Sequence, residues 1–99
     1  MLLNDVLEAF GGRAALAKAV PGVSAKETRN GVVLGFLAIE RNKKDSSILA
    51  PNKCVIQQND DDELCSVQFM LGAREVSRFT DTSLDSLPEL FEQETGYTF

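Results

Sequence analysis

The stretch Cys54-Val55-Ile56-Gln57-Gln58-Asn59-Asp60-Asp61-Asp62-Glu63-Leu64-Cys65-Ser66-Val67-Gln68-Phe69-Met70-Leu71-Gly72-Ala73-Arg74-Glu75-Val76 decides the fold. Its apolar residues alternate with polar ones, the period of a half-buried strand, and turn-forming residues interrupt it twice. If Asn59 to Asp62 form a four-residue loop, Gln58 pairs with Glu63, Ile56 with Cys65 and Cys54 with Val67. If Gly72-Ala73 form a two-residue type II′ turn, with glycine first, Leu71 pairs with Arg74 and Phe69 with Val76. A slip of one residue would move a strand's whole apolar set to the other face, so agreement between two independently placed turns tests the register. The turns agree: Cys54, Ile56, Cys65, Val67, Phe69, Leu71 and Val76 share one face. Arg74 and Arg78 fall on that face in the outermost strand, where their long stems can snorkel. The stretch therefore reads as a three-stranded antiparallel meander.

Upstream, Val32 to Ile39 is β-branched, aromatic and nearly all apolar, which predicts a strand covered on both faces or central in the sheet. Residues 42–52 are polar and read as loop, with Ser47 to Leu49 able to pair briefly. Leu3, Val6, Leu7 and Phe10 recur at helical spacing before Gly11-Gly12 breaks the pattern. A second short helix runs from Arg13 through an alanine-rich segment to Val20, where Pro21-Gly22 closes it. Ser24 and Glu27 have capping-box spacing, which predicts one more helical turn before Asn30-Gly31.

Downstream, Ser86-Leu87-Pro88-Glu89 signals a helix start, with Ser86 as cap, Pro88 in the first turn and Glu89 closing a capping box. Leu87, Leu90 and Phe91 give that helix an apolar face, Glu92 and Glu94 its solvent side, and Gly96 its stop. Residues 1–99 thus read as one α+β domain. Two short N-terminal helices precede an antiparallel sheet of about four strands, a C-terminal helix follows, and the helices pack on one sheet face. An orthogonal roll is the alternative arrangement.

The chain has 99 residues, a 43% hydrophobic share and a 25% charged share, average values for a folded domain. Two cysteines are too few for a disulfide scaffold. The start Met1-Leu2-Leu3-Asn4-Asp5 lacks a basic segment and a long apolar run, so a reducing cytoplasm is the expected setting. The longest apolar run is far short of the roughly 20 residues that cross a bilayer as a helix, so no membrane association is expected. The net charge of −5 is uneven. Residues 1–50 carry seven Lys or Arg against five Asp or Glu, whereas residues 51–99 carry three against ten. Such a second half repels phosphate and attracts basic protein surfaces.

The chain contains no histidine, which removes the commonest general base, nucleophile partner and metal ligand. No catalytic residues are expected. Two cysteines without histidine cannot close a four-ligand zinc site. Asn59 to Glu63 could offer oxygen ligands to a hard cation, but an EF-hand loop starting at Asn59 would need Gly and Glu where Leu64 and Met70 stand. No metal or cofactor is expected. The ordinary role of that cluster is a solvated hairpin loop, and its functional alternative is a partner-binding acidic loop. Cys54 and Cys65, on neighbouring strands and diagonal to each other, read as small buried hydrophobes. Gly11-Gly12-Arg13 has neither the preceding strand nor the spacing of a phosphate-binding turn.

Phe10 to Ser24, with its alanine-rich helix followed by Gly22-Val23-Ser24, locally resembles the opening of a Cro-type helix-turn-helix. The resemblance covers about a fifth of the chain. It departs from the pattern at Pro21, and Asn30-Gly31 follow Ser24 too soon for a recognition helix to fill a major groove, so no functional residue is carried over.

The leading expectation is a non-catalytic protein-binding module, an acidic inhibitor or immunity-type protein covering a basic, nucleic-acid-binding surface of its target. Phage anti-defence proteins and toxin-neutralising proteins work this way as a class, by analogy of function alone. The expected contact residues are Asp60, Asp61, Asp62 and Glu63, with Glu89, Glu92 and Glu94 if the final helix shares that side. Direct nucleic-acid binding is disfavoured by the acidic balance, and its alternative form is a DNA-binding regulator contacting phosphates through Arg13, Lys18, Lys26 and Arg29. A third alternative is an assembly subunit that donates the strand edge from Arg74 to Phe79.

Overall fold

Helix α1 (Leu2–Ala9) and helix α2 (Arg13–Ala19) open the chain. Strands β1 (Ser24–Glu27), β2 (Gly31–Gly35), β3 (Lys53–Gln58), β4 (Leu64–Leu71) and β5 (Arg74–Ser83) follow. A 3₁₀ turn, Leu84–Ser86, then leads into helix α3 (Leu87–Thr95). The computed structural model describes residues 2–38, 50–59 and 64–98. The architecture is α+β: five strands form one antiparallel sheet in the order β1-β2-β3-β4-β5, each paired with its sequence neighbour. The strand beyond the expected four is β1.

Ser24 to Glu27 form β1 instead of a helical turn. Helix nucleation is costly for so short a segment, and Asn30-Gly31 act as a hairpin connection, with Thr28 N–H donating to the Gly31 carbonyl at 2.7 Å. The ladder formed with β2 decides the conformation. Strand β2 is also shorter than the apolar run suggests and lies second in the sheet, with β3 central. It alternates, with Val32 and Leu34 buried and Val33 half-buried, so one face looks to the helices. Ile39 and the suggested pairing at Ser47 to Leu49 lie outside the described residues.

The expected core face is observed, with a corrected register. Gln58 pairs with Cys65, Ile56 with Val67 and Cys54 with Phe69. Asn59 N–H donates to the Leu64 carbonyl at 3.2 Å, so the hairpin closes one residue later on each side than Gln58 and Glu63. A two-residue change in register preserves the face, which is why the core survives the error. Gly72 has φ 62° and Ala73 is not left-handed, as a type II′ turn requires, and Leu71 pairs with Arg74.

Two bulges then reset β5. Met70 pairs with Glu75 but Phe69 with Ser77, making Val76 the extra residue, and a second irregularity lies between the pairs Cys65–Thr82 and Val67–Phe79. Ser77 and Phe79 therefore take the inner face in place of Val76, while Arg78, paired with Gln68, points to the outer face and does not snorkel over the core. Arg74 remains opposite Leu71 and exposed. Cys54 and Cys65 are not diagonal neighbours, since their cross-strand partners are Phe69 and Gln58.

Two rows cross the inner face: Ala25, Leu34, Cys54, Phe69 and Ser77, then Glu27, Val32, Ile56, Val67 and Phe79. The helices and the residues that directly follow α1 and α2 cover these rows with Val6, Leu7, Phe10, Leu16, Val20, Leu87 and Phe91, all buried. Phe91 is the hub, with ring centroids at 5.4 Å from Phe10, 5.0 Å from Phe36 and 6.2 Å from Phe69. Gly96, left-handed at φ 89°, ends α3 as expected. At its start Ser86 makes no side-chain cap bond, because the 3₁₀ turn brings its hydroxyl to that of Ser83 at 2.9 Å.

Truncating Phe91→Ala removes the hub ring and is expected to lower unfolding free energy by about 3–5 kcal/mol in a urea titration. A methyl group at Gly31 would meet the Ile56 carbonyl oxygen and stand 2.9 Å from Gln57 Cα. Gly31→Ala is therefore expected to destabilise β2–β3 pairing by more than about 1 kcal/mol, read as faster amide exchange at Val32 to Leu34.

Candidate functional site

Charge is sorted by the fold, not by the halves of the sequence. Helix α1, the 3₁₀ turn and α3 together carry Asp5, Glu8, Asp85, Glu89, Glu92 and Glu94 and no Lys or Arg. On α1, Asp5 and Glu8 are three residues apart and project away from the buried Val6, Leu7 and Phe10. Asp5, Glu8 and Ala9 line one pocket of about 330 Å³ with Leu84 and Asp85. Two carboxylates from the mildly basic half of the sequence thus join one from the acidic half. Nothing in the sequence placed α1 beside the 3₁₀ turn, so this side's contribution from Asp5, Glu8 and Asp85 was not expected. Helix α2 differs, carrying Arg13 and Lys18.

The residues expected to contact a partner are distributed as follows. Asp60, Asp61, Asp62 and Glu63 lie outside the described residues. Leu64, which adjoins them, lines a groove of about 390 Å³ together with Phe79, Asp81, Thr82, Ser83, Ser86, Glu89, Leu90 and Gln93. Glu89 is thus in the same groove as the residue next to the acidic stretch. Glu92 is exposed on α3. Glu94 is not on the solvent side: it is half-buried toward β5, and Ser77 Oγ donates to its Oε1 at 2.6 Å.

The outer sheet face has a different character. Lys26, Val33, Val55, Gln68 and Arg78 form one row across all five strands, and Lys53 lies in the next. Glu75 accepts from Gln68 Nε2 at 3.1 Å and from Arg78 Nε at 2.6 Å, the one ion pair among the described residues. The Gln68 bond, then the Arg78 bond, hold the Glu75 carboxyl below the usual glutamate range. Arg13 and Lys18 belong to the helical layer while Lys26 belongs to this face, so the four cations considered for DNA do not form one surface. The element after α2 is a strand, so no recognition helix follows it. Strand β5 is a sheet edge, interrupted by two bulges and by the charges of Arg74, Glu75 and Arg78, features that blunt strand addition.

Both cysteines are free and buried. Burial pushes the Cys54 thiol far up, with a smaller push from Cys65, and burial also raises Cys65, whose Sγ donates to the Thr82 carbonyl at 3.2 Å. Neither is poised as a thiolate nucleophile. Among the described residues no group of three or more Cys, Asp or Glu is placed to hold a metal ion, and no helix is long and apolar enough to cross a membrane. No protein-family model, curated protein or solved structure matches the chain.

Because the folded-state pKa of Glu75 is lowered, its contribution to stability is present at neutral pH and is lost as pH falls through that lowered value. A carboxyl-carbon NMR titration is expected to place the Glu75 midpoint below the roughly 4.3 of an ordinary glutamate. Gln68→Leu, by deleting the largest cause, moves it upward; an unmoved midpoint would reject the assignment.

Proposed function

We propose that the protein is a non-catalytic binding module of the inhibitor or immunity type, whose acidic helical side covers a basic, nucleic-acid-binding surface on a target protein. The observation that carries this reading is the gathering of Asp5, Glu8, Asp85, Glu89 and Glu92 on α1, the 3₁₀ turn and α3, elements that pack against one another and hold no Lys or Arg. Like charges gathered on one side lower the stability of the free chain, and a cationic partner relieves that repulsion while steering association. A specific interface needs about 800 Å² from each partner. The chain exposes 6224 Å² in all, so one side of it suffices.

Glu89 carries the same negative character to the groove that it shares with Leu64, and in the sequence Asp60 to Glu63 directly precede Leu64. The lack of histidine, the buried thiols and the absence of a metal-binding cluster among the described residues support a role in binding over one in catalysis. Phosphate groups and anionic lipid are repelled by such a side, which favours a protein partner.

Affinity capture from the native host, run in parallel with wild type and an Asp5→Lys/Glu8→Lys/Glu92→Lys variant, tests the proposal. All three positions are exposed, so the variant is expected to fold. The expected outcome is a basic protein retained by wild type and released by the variant, with retention weakening as salt rises. A partner held equally by both, or no partner at all, contradicts the proposal.

A further inference from the structure

The groove between β5 and α3 differs from the pocket of Asp5, Glu8 and Asp85 in having an aromatic side chain, Phe79, in its floor. Its floor is apolar: Phe79 and Leu90 are half-buried, and Phe79 stands edge-on to the buried Phe69 with centroids 6.1 Å apart, which ties the floor to the core. Its rim holds two exposed carboxylates from different elements, Asp81 on β5 and Glu89 on α3. Asp81 has φ 56° and lies in the second β5 bulge, where the extra residue re-aims the side chain. The hydrogen-bonded hydroxyl pair of Ser83 and Ser86 also lines it. At about 390 Å³ the groove falls within the roughly 300–1,000 Å³ of ligand sites.

An apolar floor beneath an anionic rim matches a side chain that is apolar along its stem and cationic at its tip. We infer that this groove is the specificity pocket of the acidic side and takes a basic segment of the partner protein, an Arg whose stem lies over Phe79 and Leu90 and whose guanidinium reaches Asp81 and Glu89, flanked by an apolar residue. Arginine fits better than lysine, because its planar fork can engage two carboxylates at once. Asp81 accepts only from the neutral Asn59 amide, at 3.4 Å, so a neutral apolar ligand would leave the rim without a countercharge. A phosphate or lipid headgroup would be repelled by it. The inference rests on the reading of the chain as a binder of basic proteins and adds where, and through which side chain, the partner is recognised.

The probe is an acetylated, amidated hexapeptide of alternating Arg and Leu, titrated into the full-length protein and followed by amide chemical shifts. The structure predicts shifts concentrated at Leu64, Phe79, Glu89 and Leu90. Asp81→Asn/Glu89→Gln, which keeps a left-handed-tolerant residue at position 81, is expected to weaken binding about fivefold or more. An Arg-Gly peptide is expected to bind more weakly, a Glu-Leu peptide not at all, and Asp5→Asn/Glu8→Gln to leave the affinity nearly unchanged. Equal binding of the Arg-Gly peptide, shifts spread over α1 as strongly as over the groove, or undiminished affinity in the groove variant would overturn the inference. Those results would leave the proposed function standing if the α1 and Glu92 reversals still release the captured partner, so the two failures are separable.

Discussion

The Phe91 ring is where the layers of this small domain meet. It meets Phe10 just after α1 and Phe36 beyond β2 edge-to-face, an arrangement that aromatic quadrupoles favour, lies tilted to Phe69 on β4 and stacks on Tyr97 beyond α3. Tyr97 extends the link by donating its hydroxyl to the Leu37 carbonyl at 2.6 Å. Thr95, fully buried, is satisfied by donating to the Phe91 carbonyl and accepting from Tyr97 N–H. Because α3 is held there, its outward residues Glu89 and Glu92 take fixed places beside the sheet, and the 3₁₀ turn is held against α1. The acidic side is thus a consequence of how the core packs.

Much of that core was legible because alternation in β3 and β4 is strict. Alternation and the two turns together put Cys54, Ile56, Cys65, Val67 and Phe69 on the buried face, and a shift of two in register leaves them there. Helices α1 and α2 were legible from periodicity and from Gly11-Gly12 and Pro21-Gly22. What escaped were places where pairing overrode local preference. Ser24 to Glu27 satisfy a capping pattern yet become a strand, since a ladder with β2 outweighs a single helical turn. The bulges in β5 have no sequence marker beyond Asp81, a residue type that tolerates positive φ, and they moved Arg78 outward and Ser77 inward. Ser86 lost its capping role to a 3₁₀ turn that no spacing rule announced.

The site was legible only in sign. Composition showed an acidic second half and pointed to Glu89, Glu92 and Glu94, but Glu94 serves as an acceptor for Ser77 within the fold. Asp5 and Glu8 belong to the acidic side although the half of the sequence that contains them is slightly basic. Charges distant in sequence become neighbours only once the helices are packed, and single-sequence patterning carries no information about that contact. The outer sheet face, with Lys26, Lys53 and Arg78, gives the molecule a second side of different sign.

Under the proposed function the helical side, not the outer sheet face, meets the partner. Hydrogen exchange of the full chain, measured alone and in complex with the captured partner, reads both sides at once. Added protection is expected at α1, the 3₁₀ turn, α3 and the C-terminal part of β5, with β1 and the middle of β3 unchanged. Protection confined to β1, β2 and β3, with α1 and α3 exchanging as in the free protein, would contradict it.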